Sequence, residues 1–545
     1  NVTGTVRADD ITGDDKNNTI ISGDDNDVIR GLEGTDYIDG GVGDDDTVDY
    51  SKGTQGLIID LSATQTFGDD TTYSVQDDGF GNKEFTANIE NVIGTSSVDI
   101  IIGNDKDNKL EAGANADTLY GGKGADTLVG GSGADTFRGG TGDDIIYGNA
   151  ESTTGSDGYR DLVDFSTSST PVKVNLSSTV DTVLLSKGTT ATLLVQTSVG
   201  EGTDKLYDIQ DVIGSIGQDT IVGDSGVNSL SGGAEADILV GGAEADVLMG
   251  DGGDDTILGG LDLDTIYGGS FNGTTATDSG TDTVDYSYIS DTKAINVDLN
   301  RATEVVFQIG TPTNYDNLTH IENIIATKNN DLIKGSDDFA VVNILDGYKG
   351  DDVFYSSKGI DSFIGGLGID TLDFSSVDLL NGGKRVIVDL GLGKITDDGY
   401  HDTTNTAVED YVSEIEIVIG TTGDDNLYGD SNKNTLVGAN GADIIYGREG
   451  ADSLNGGAGA DVINGGDDAD IILGGADADN IDGGRGDDTV DGEAGNDVIV
   501  GGAGDDTFTG GSEIDELSYV SSYSGITVTL ANGSTTFGII TSTTE

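Results

Sequence analysis

From Asp425 to Asp515 an Asp or Asn returns every ninth residue for eleven positions in a row: Asp425, Asn434, Asp443, Asp452, Asp461, Asp470, Asp479, Asp488, Asp497, Asp506 and Asp515. Two residues after each stands an apolar side chain, from Leu427, Leu436 and Ile445 through to Ile499, Phe508 and Leu517. Glycines cluster just ahead of most of the Asp positions. A short fixed period of this kind leaves few folds open. Glycine every few residues destabilises a helix by about 1 kcal/mol each, and only three or four residues remain between glycine turns, enough for a short strand. Strands so short and so evenly spaced cannot close hairpins into a sandwich. Stacked parallel, coil on coil, each pairs above and below at about 4.8 Å. The chain is therefore expected to be all-β, a parallel solenoid with the apolar residues inside.

The same register recurs in five blocks separated by non-repeat inserts. The blocks span residues 1–47, 99–158, 219–270, 331–371 and 425–516, and the inserts span 48–98, 159–218, 271–330, 372–424 and, begun but not closed, 517–545. Block four, with a three-residue insertion between Asp331 and Asn343, is the most degenerate. The inserts begin alike, as in Val48-Asp49-Tyr50-Ser51 and Val284-Asp285-Tyr286-Ser287, and continue into a strand-like stretch such as Leu57-Ile58-Ile59-Asp60-Leu61. Alternation and β-branching there fit a half-buried strand. They also end alike, as in Ile89-Glu90-Asn91-Val92-Ile93-Gly94-Thr95, with five residues from that Gly to the next block's first Asp. Both chain ends fall inside insert patterns, so the chain is expected to be part of a longer array.

The unit is clearest at Gly121-Gly122-Lys123-Gly124-Ala125-Asp126-Thr127-Leu128-Val129 and Gly501-Gly502-Ala503-Gly504-Asp505-Asp506-Thr507-Phe508-Thr509. It resembles the RTX (repeats-in-toxin) nonapeptide Gly-Gly-x-Gly-x-Asp-x-U-x, with U a large apolar residue. The resemblance implies a β-roll of two nonapeptides per coil, interrupted here by short β inserts. It also implies Ca²⁺ held between successive Gly-rich turns, roughly one ion per well-formed repeat. The ligand role then passes to the matching carboxylates: Asp27, Asp36, Asp117, Asp126, Asp135, Asp144, Asp237, Asp246, Asp255, Asp264, Asp352, Asp361, Asp443, Asp452, Asp461, Asp470, Asp479, Asp488, Asp497 and Asp506. Elementary chemistry agrees. Ca²⁺ takes six to eight oxygens from carboxylates and backbone carbonyls at about 2.3–2.6 Å, glycines at positive φ aim carbonyls at one centre, and stacked carboxylates repel unless a cation lies between them.

Departures from the motif carry their own expectations. Asn18, Asn108, Asn228, Asn343 and Asn434 each take the second step of a block, where a neutral amide makes a weak site or a structural rung. Glu235 and Glu244 replace the third glycine of their repeats, so those turns are expected to be imperfect sites, and block four to be the poorest in calcium.

Composition narrows the function. Against 25 Lys+Arg stand 100 Asp+Glu, a formal net charge of −75. That disfavours nucleic acid, whose binding needs a basic surface to release counterions, and makes folding depend on bound cations. There is no Cys, so disulfides and thiolate metal sites are excluded. No stretch approaches the ~20 apolar residues of a membrane helix. His320 and His401 stand alone in inserts with no nucleophile in evident order, so no catalytic residues are expected and the chain is read as a non-enzyme. Tyr50 and Phe165 at the insert starts read as caps on the apolar core ahead of sugar contacts.

The function expected is that of an extracellular structural protein at the bacterial cell surface. It would fold on Ca²⁺ into a rigid rod and self-associate in a surface layer, filament or adhesin stalk, with cell-surface polysaccharide a further partner. Two alternatives stay open: the calcium-binding carboxyl-terminal part of a secreted RTX enzyme, and a carbohydrate-binding module. The resemblance also implies type I secretion.

Overall fold

The computed structural model describes the chain apart from residues 44, 64–72, 152–156, 179–181, 185–189, 193–196, 200–201, 272–275, 278–279, 290–292, 302–304, 309–314, 339–340, 378–383, 401–408, 519–539 and 542–545. His401 lies outside the described residues. Two compact units, Asn1–Asp282 and Thr283–Glu545, divide it. Among the described residues there is no α-helix; a single 3-10 turn, Leu299–Arg301, interrupts the strands.

Each unit is built by the same rule. In the first, Thr118–Lys123 pairs in parallel with Thr136–Thr141, setting Leu119 against Phe137 and Gly122 against Gly140. The intervening strand, Thr127–Ser132, belongs to the other sheet, between Lys109–Ala114 and Ile145–Tyr147. Partners therefore lie 18 residues apart, so two nonapeptides close one coil and odd and even repeats build separate sheets. In the second unit the run from Asn426–Tyr428 to Glu516–Ser518 stacks in the same way, Leu427 on Ile445, Ile463 on Ile481 and Ile499 on Leu517. Block four keeps the rule with one longer coil, Leu332–Lys334 pairing 21 residues on with Val353–Tyr355.

The residue pattern explains the coil. In Thr118-Leu119-Tyr120 the alternation of a strand turns Leu119 inward, fully buried, and leaves its neighbours half exposed. Leu128, Phe137, Ile146, Leu436 and Ile472 repeat this with no exposed surface. Burying each such side chain contributes about 1.5–3 kcal/mol. Strands in the middle of a block are six residues long rather than the three or four expected. They run on through the glycine pair because glycines one coil apart also lie in register.

The inserts are spliced into this stack. Leu57–Asp60 is itself a coil strand, parallel to Ile100–Ile102 and antiparallel to Val75–Asp78. Lys173–Asn175 and Ile387–Asp389 repeat that arrangement with Thr220–Val222 and Asn426–Tyr428. At the insert's end Asn91–Ile93 returns to the stack between Thr47–Asp49 and Lys109–Ala114. Each of the first four inserts thus makes an excursion among its described residues, after which the coil resumes in register. Of the two expected caps, Tyr50 is buried in the core, as are Tyr286 and Phe374 at the same place in other inserts, whereas Phe165 is only partly buried.

Candidate metal centre

Every repeat delivers its Asp at the end of a glycine turn, immediately before the strand that buries the U residue. The side chain turns back under its own loop. One oxygen, Oδ1, accepts the backbone N–H of the residue one coil earlier: Asp126 from Asn108 at 2.7 Å, Asp135 from Asp117 at 2.8 Å, Asp461 from Asp443 at 2.8 Å. Asp27, Asp36, Asp117, Asp144, Asp237, Asp246, Asp255 and Asp264 do the same, as do Asp352, Asp443, Asp452, Asp470, Asp479, Asp488, Asp497 and Asp506. Asp361 alone differs: its Oδ2 accepts the hydroxyl of Ser357 at 2.5 Å.

The second oxygen is what sets these residues apart. In Asp27, Asp36, Asp117, Asp126, Asp135, Asp144, Asp237, Asp246, Asp352, Asp443, Asp452, Asp461, Asp470, Asp479, Asp488 and Asp497, Oδ2 is buried without a hydrogen-bond partner; in Asp361 it is Oδ1. A buried orphan oxygen on a carboxylate is costly. Its surroundings recur in the regular repeats. A methyl group at Gly121 would meet both Asp126 Oδ2 and the carbonyl oxygen of Gly139 at under 3.0 Å. Gly447 relates in this way to Asp452 and Gly465, and Gly456 to Asp461 and Gly474. Each cradle therefore joins a carboxylate oxygen of one coil to a backbone carbonyl of the next, over an α-carbon that must be glycine.

Positive φ at Gly122 (116°) and Gly124 (111°) turns the loop. Glu235 and Glu244, at the position of Gly124 in their repeats, hold φ of 66° and 67°, so the turn survives its substitution at a cost of about 1–2 kcal/mol.

Burial raises the carboxyl groups' affinity for protons, reinforced by carboxylates in neighbouring coils. Asp117 and Asp237 are pushed up to about 8 and Asp352 to about 9, each by desolvation first, against the lowering effect of the amide bond to Oδ1. Asp126 and Asp443 rise to about 7 for the same reasons. Ionising such a column at neutral pH calls for a cation. Among the described residues no three His, Cys, Asp or Glu side chains form a metal-binding group. An ion here would complete its oxygen shell from the glycine carbonyls, which suits a hard cation such as Ca²⁺.

The ladder also contains rungs that the protein satisfies by itself. At the first step of a block, Asp99 Oδ2 accepts the N–H of Thr95 at 2.6 Å and Oδ1 its hydroxyl at 2.8 Å. Ser215 with Asp219, Thr327 with Asp331 and Thr421 with Asp425 repeat the arrangement. The coil beneath explains it. Leu57, Val172, Ile295 and Val386 occupy the ladder position there, donating an N–H to the Asp above but offering no carboxylate. At the second step, Asn108 Oδ1 accepts the N–H of Asn104 while Nδ2 donates to the carbonyl of Glu90 at 2.8 Å. Asn228 bonds to Asp224 and Gln210 in the same way. Lys106 pairs with the buried carboxylate of Glu90.

Three repeat-register residues outside the sequence-derived ligand set, Asp46, Asp370 and Asp515, have the same orphaned Oδ2; their regular spacing was the available signal. Others carry the ladder across the inserts: Glu90, Gln210 and Glu416 stand in the shared insert-ending pattern, whereas Asp204 and Asp410 have no such signal. Asp46 N–H donates to Glu90, Asp144 N–H to Asp204, Asp161 N–H to Gln210, Asp361 N–H to Asp410 and Asp370 N–H to Glu416. His320 is exposed, and no helix among the described residues is long and apolar enough to cross a membrane.

A search among curated proteins finds no match to the chain. The family model for the RTX calcium-binding nonapeptide repeat matches residues 4–46, 93–128, 129–152, 213–248, 240–274, 342–372, 413–445, 446–481 and 482–517. These are the coils whose glycine cradles and buried Asp columns are described above, and the chain belongs to the RTX calcium-binding nonapeptide repeat family.

Proposed function

We propose that this chain is a calcium-folded extracellular structural protein of the bacterial cell surface, serving in a surface layer, a filament or an adhesin stalk. One observation carries the reading: the column of buried Asp oxygens without partners, which in regular repeats such as those of Asp126, Asp246, Asp452, Asp461, Asp470 and Asp488 lie beside a glycine carbonyl of the adjacent coil. The ligands would be these Asp residues together with Asp255, Asp264 and Asp506 at the same register. Bound Ca²⁺ supplies positive charge between coils that otherwise repel. The chain's own residues hold each carboxylate rigid through Oδ1, exclude water with the U side chains and present carbonyls through the glycines. Because the sites form only when coils stack, binding free energy is folding free energy.

The structural role rests on the repeat architecture of both units, with five blocks and their inserts as the domain plan. RTX repeat proteins are typically secreted by bacteria, which supports the surface location. Burial of Tyr50 and Tyr286 favours a structural insert over one that stacks sugars on these rings. Circular dichroism in excess chelator and at millimolar Ca²⁺ tests the calcium reading: loss of β-signal on chelation is expected, and an unchanged spectrum refutes it. Electron microscopy of the calcium-loaded chain tests assembly, lattices or fibres supporting it and dispersed monomers refuting it.

A further inference from the structure

Where insert 1 rejoins the stack, one buried junction departs from the glycine cradle. Phe85–Ala87 pairs in parallel with Tyr37–Asp39, and the N–H of Phe85 donates to the carbonyl of Asp36 at 3.0 Å. Glu84 therefore stands one coil on from Asp36, on the ladder, although it lies between the matched segments 4–46 and 93–128. Its longer side chain reaches where a repeat has only a backbone carbonyl. A methyl group at Gly31 would meet Asp36 Oδ2 and Glu84 Oε1 together, the latter at 2.9 Å. Both oxygens are buried and no donor outside the pair reaches either, while the two carboxyl groups lie within hydrogen-bonding reach of each other; Glu84 has no exposed surface and Asp36 is 1 % exposed.

The surroundings hold this pair in place without neutralising it. Tyr50 donates its hydroxyl to Glu84 Oε2 at 2.8 Å, fixing the carboxylate and leaving Oε1 directed at Asp36. Asp36 Oδ1 is occupied by the N–H of Asn18 at 2.6 Å. Asp78, fully buried, adds a third negative charge; its oxygens accept from the Phe80 and Asn82 amides and from Asn82 Nδ2. Among the described residues no Lys, Arg or His pairs with Asp36, Asp78 or Glu84. Two orphaned carboxylate oxygens facing each other in a dry site need either a shared proton or a cation, and the added charge of Asp78 favours the cation.

We propose that Asp36 Oδ2 and Glu84 Oε1 together hold a divalent, oxygen-seeking cation, a Ca²⁺ site with two carboxylates from different segments that ties insert 1 to block 1. Tyr50 is its positioning residue. The site deepens the calcium reading of the ladder and rests on it for the identity of the ion, but it takes a ligand that no repeat supplies.

Native mass spectrometry of the full chain at saturating Ca²⁺ tests it. Glu84→Gln preserves size and the Tyr50 contact, and is expected to bind one ion fewer than wild type while keeping the remaining uptake. Equal ion counts in wild type and E84Q overturn the site and assign the pair a shared proton, leaving the ladder reading intact; no uptake by either chain overturns both. Should E84Q fold poorly, crystals of the wild-type chain soaked in Tb³⁺ decide. An anomalous peak within about 2.6 Å of both oxygens supports the site, and peaks in the glycine cradles without one here overturn it.

Discussion

Replacing Asp126 by Asn separates the two oxygens of a ladder carboxylate, and its effect should change sign with calcium. Asp126 Oδ1 accepts the N–H of Asn108 at 2.7 Å, and Asn retains that acceptor. Oδ2, the orphan beside Gly121 and the Gly139 carbonyl, becomes an amide N–H₂. With calcium present the substitution removes a charged ligand from one site. At a free ion concentration a hundredfold above its dissociation constant, that site contributes about 2.7 kcal/mol, the stability expected to be lost. In chelator the sign reverses. A buried oxygen without a partner costs about 1–3 kcal/mol, more if charged, and the new amide can donate to a neighbouring carbonyl as Asn108 does to Glu90. D126N should therefore melt earlier than wild type in saturating Ca²⁺ and keep more of its β-signal as EGTA strips the ion, read by circular dichroism of both chains under both conditions. Equal destabilisation in both would mean that Asp126 acts only through its backbone hydrogen bond, and the orphan-oxygen reasoning would fail.

Three further perturbations address separate parts of the structure. Asp126, Asp117 and Asp352 have folded-state values near 7, 8 and 9, above the 3.8 of the free group; the stability from these protonated groups is full below about pH 4 and is lost as pH rises through 7 to 9. The calcium-free chain should thus gain β-signal on acidification from pH 9 to pH 4, and a flat profile in EGTA would contradict the shifts. Thr95→Val removes the 2.8 Å hydroxyl bond to Asp99 at a self-satisfied rung; a loss of about 1–3 kcal/mol, equal at low and at saturating Ca²⁺ and with an unchanged ion count, is expected from denaturant titration. Gly122→Ala puts a methyl onto the Asn104 carbonyl at φ 116°, whereas Gly158→Ala, at φ 90°, meets nothing within 4 Å. The second should cost only the conformational ~1–2 kcal/mol, the first clearly more, and equal melting temperatures would refute the close stacking of coils.

Much of the site was readable before any coordinates. The U positions from Leu119 to Phe508 are core residues because a two-residue offset from the turn Asp alternates them inward, a purely local rule. The Asn rungs are legible as departures, yet the role of Asn108 and Asn228 depends on Glu90 and Gln210, whose carbonyls they bond across a coil. The Gly-Thr, Gly-Ser and Ala-Thr pairs that close the inserts are visible as punctuation; that Thr95 and Ser215 neutralise the need for an ion at Asp99 and Asp219 appears only when Leu57 and Val172 are seen in the coil beneath. Strand length was underestimated because pairing through Gly122 and Gly140 follows from stacking rather than from propensity.

The sequence by itself determined the coil, its apolar column and the Asp that closes each turn, because all three follow from spacings within nine residues. Only the tertiary structure decided which carboxylates are left with an unanswered oxygen and which are completed by a Thr, an Asn or a Lys. It alone brought Glu84 to Asp36 and Glu416 to Asp370. Those partners lie 46–48 residues apart along the chain, and their meeting depends on where a hairpin excursion rejoins the stack.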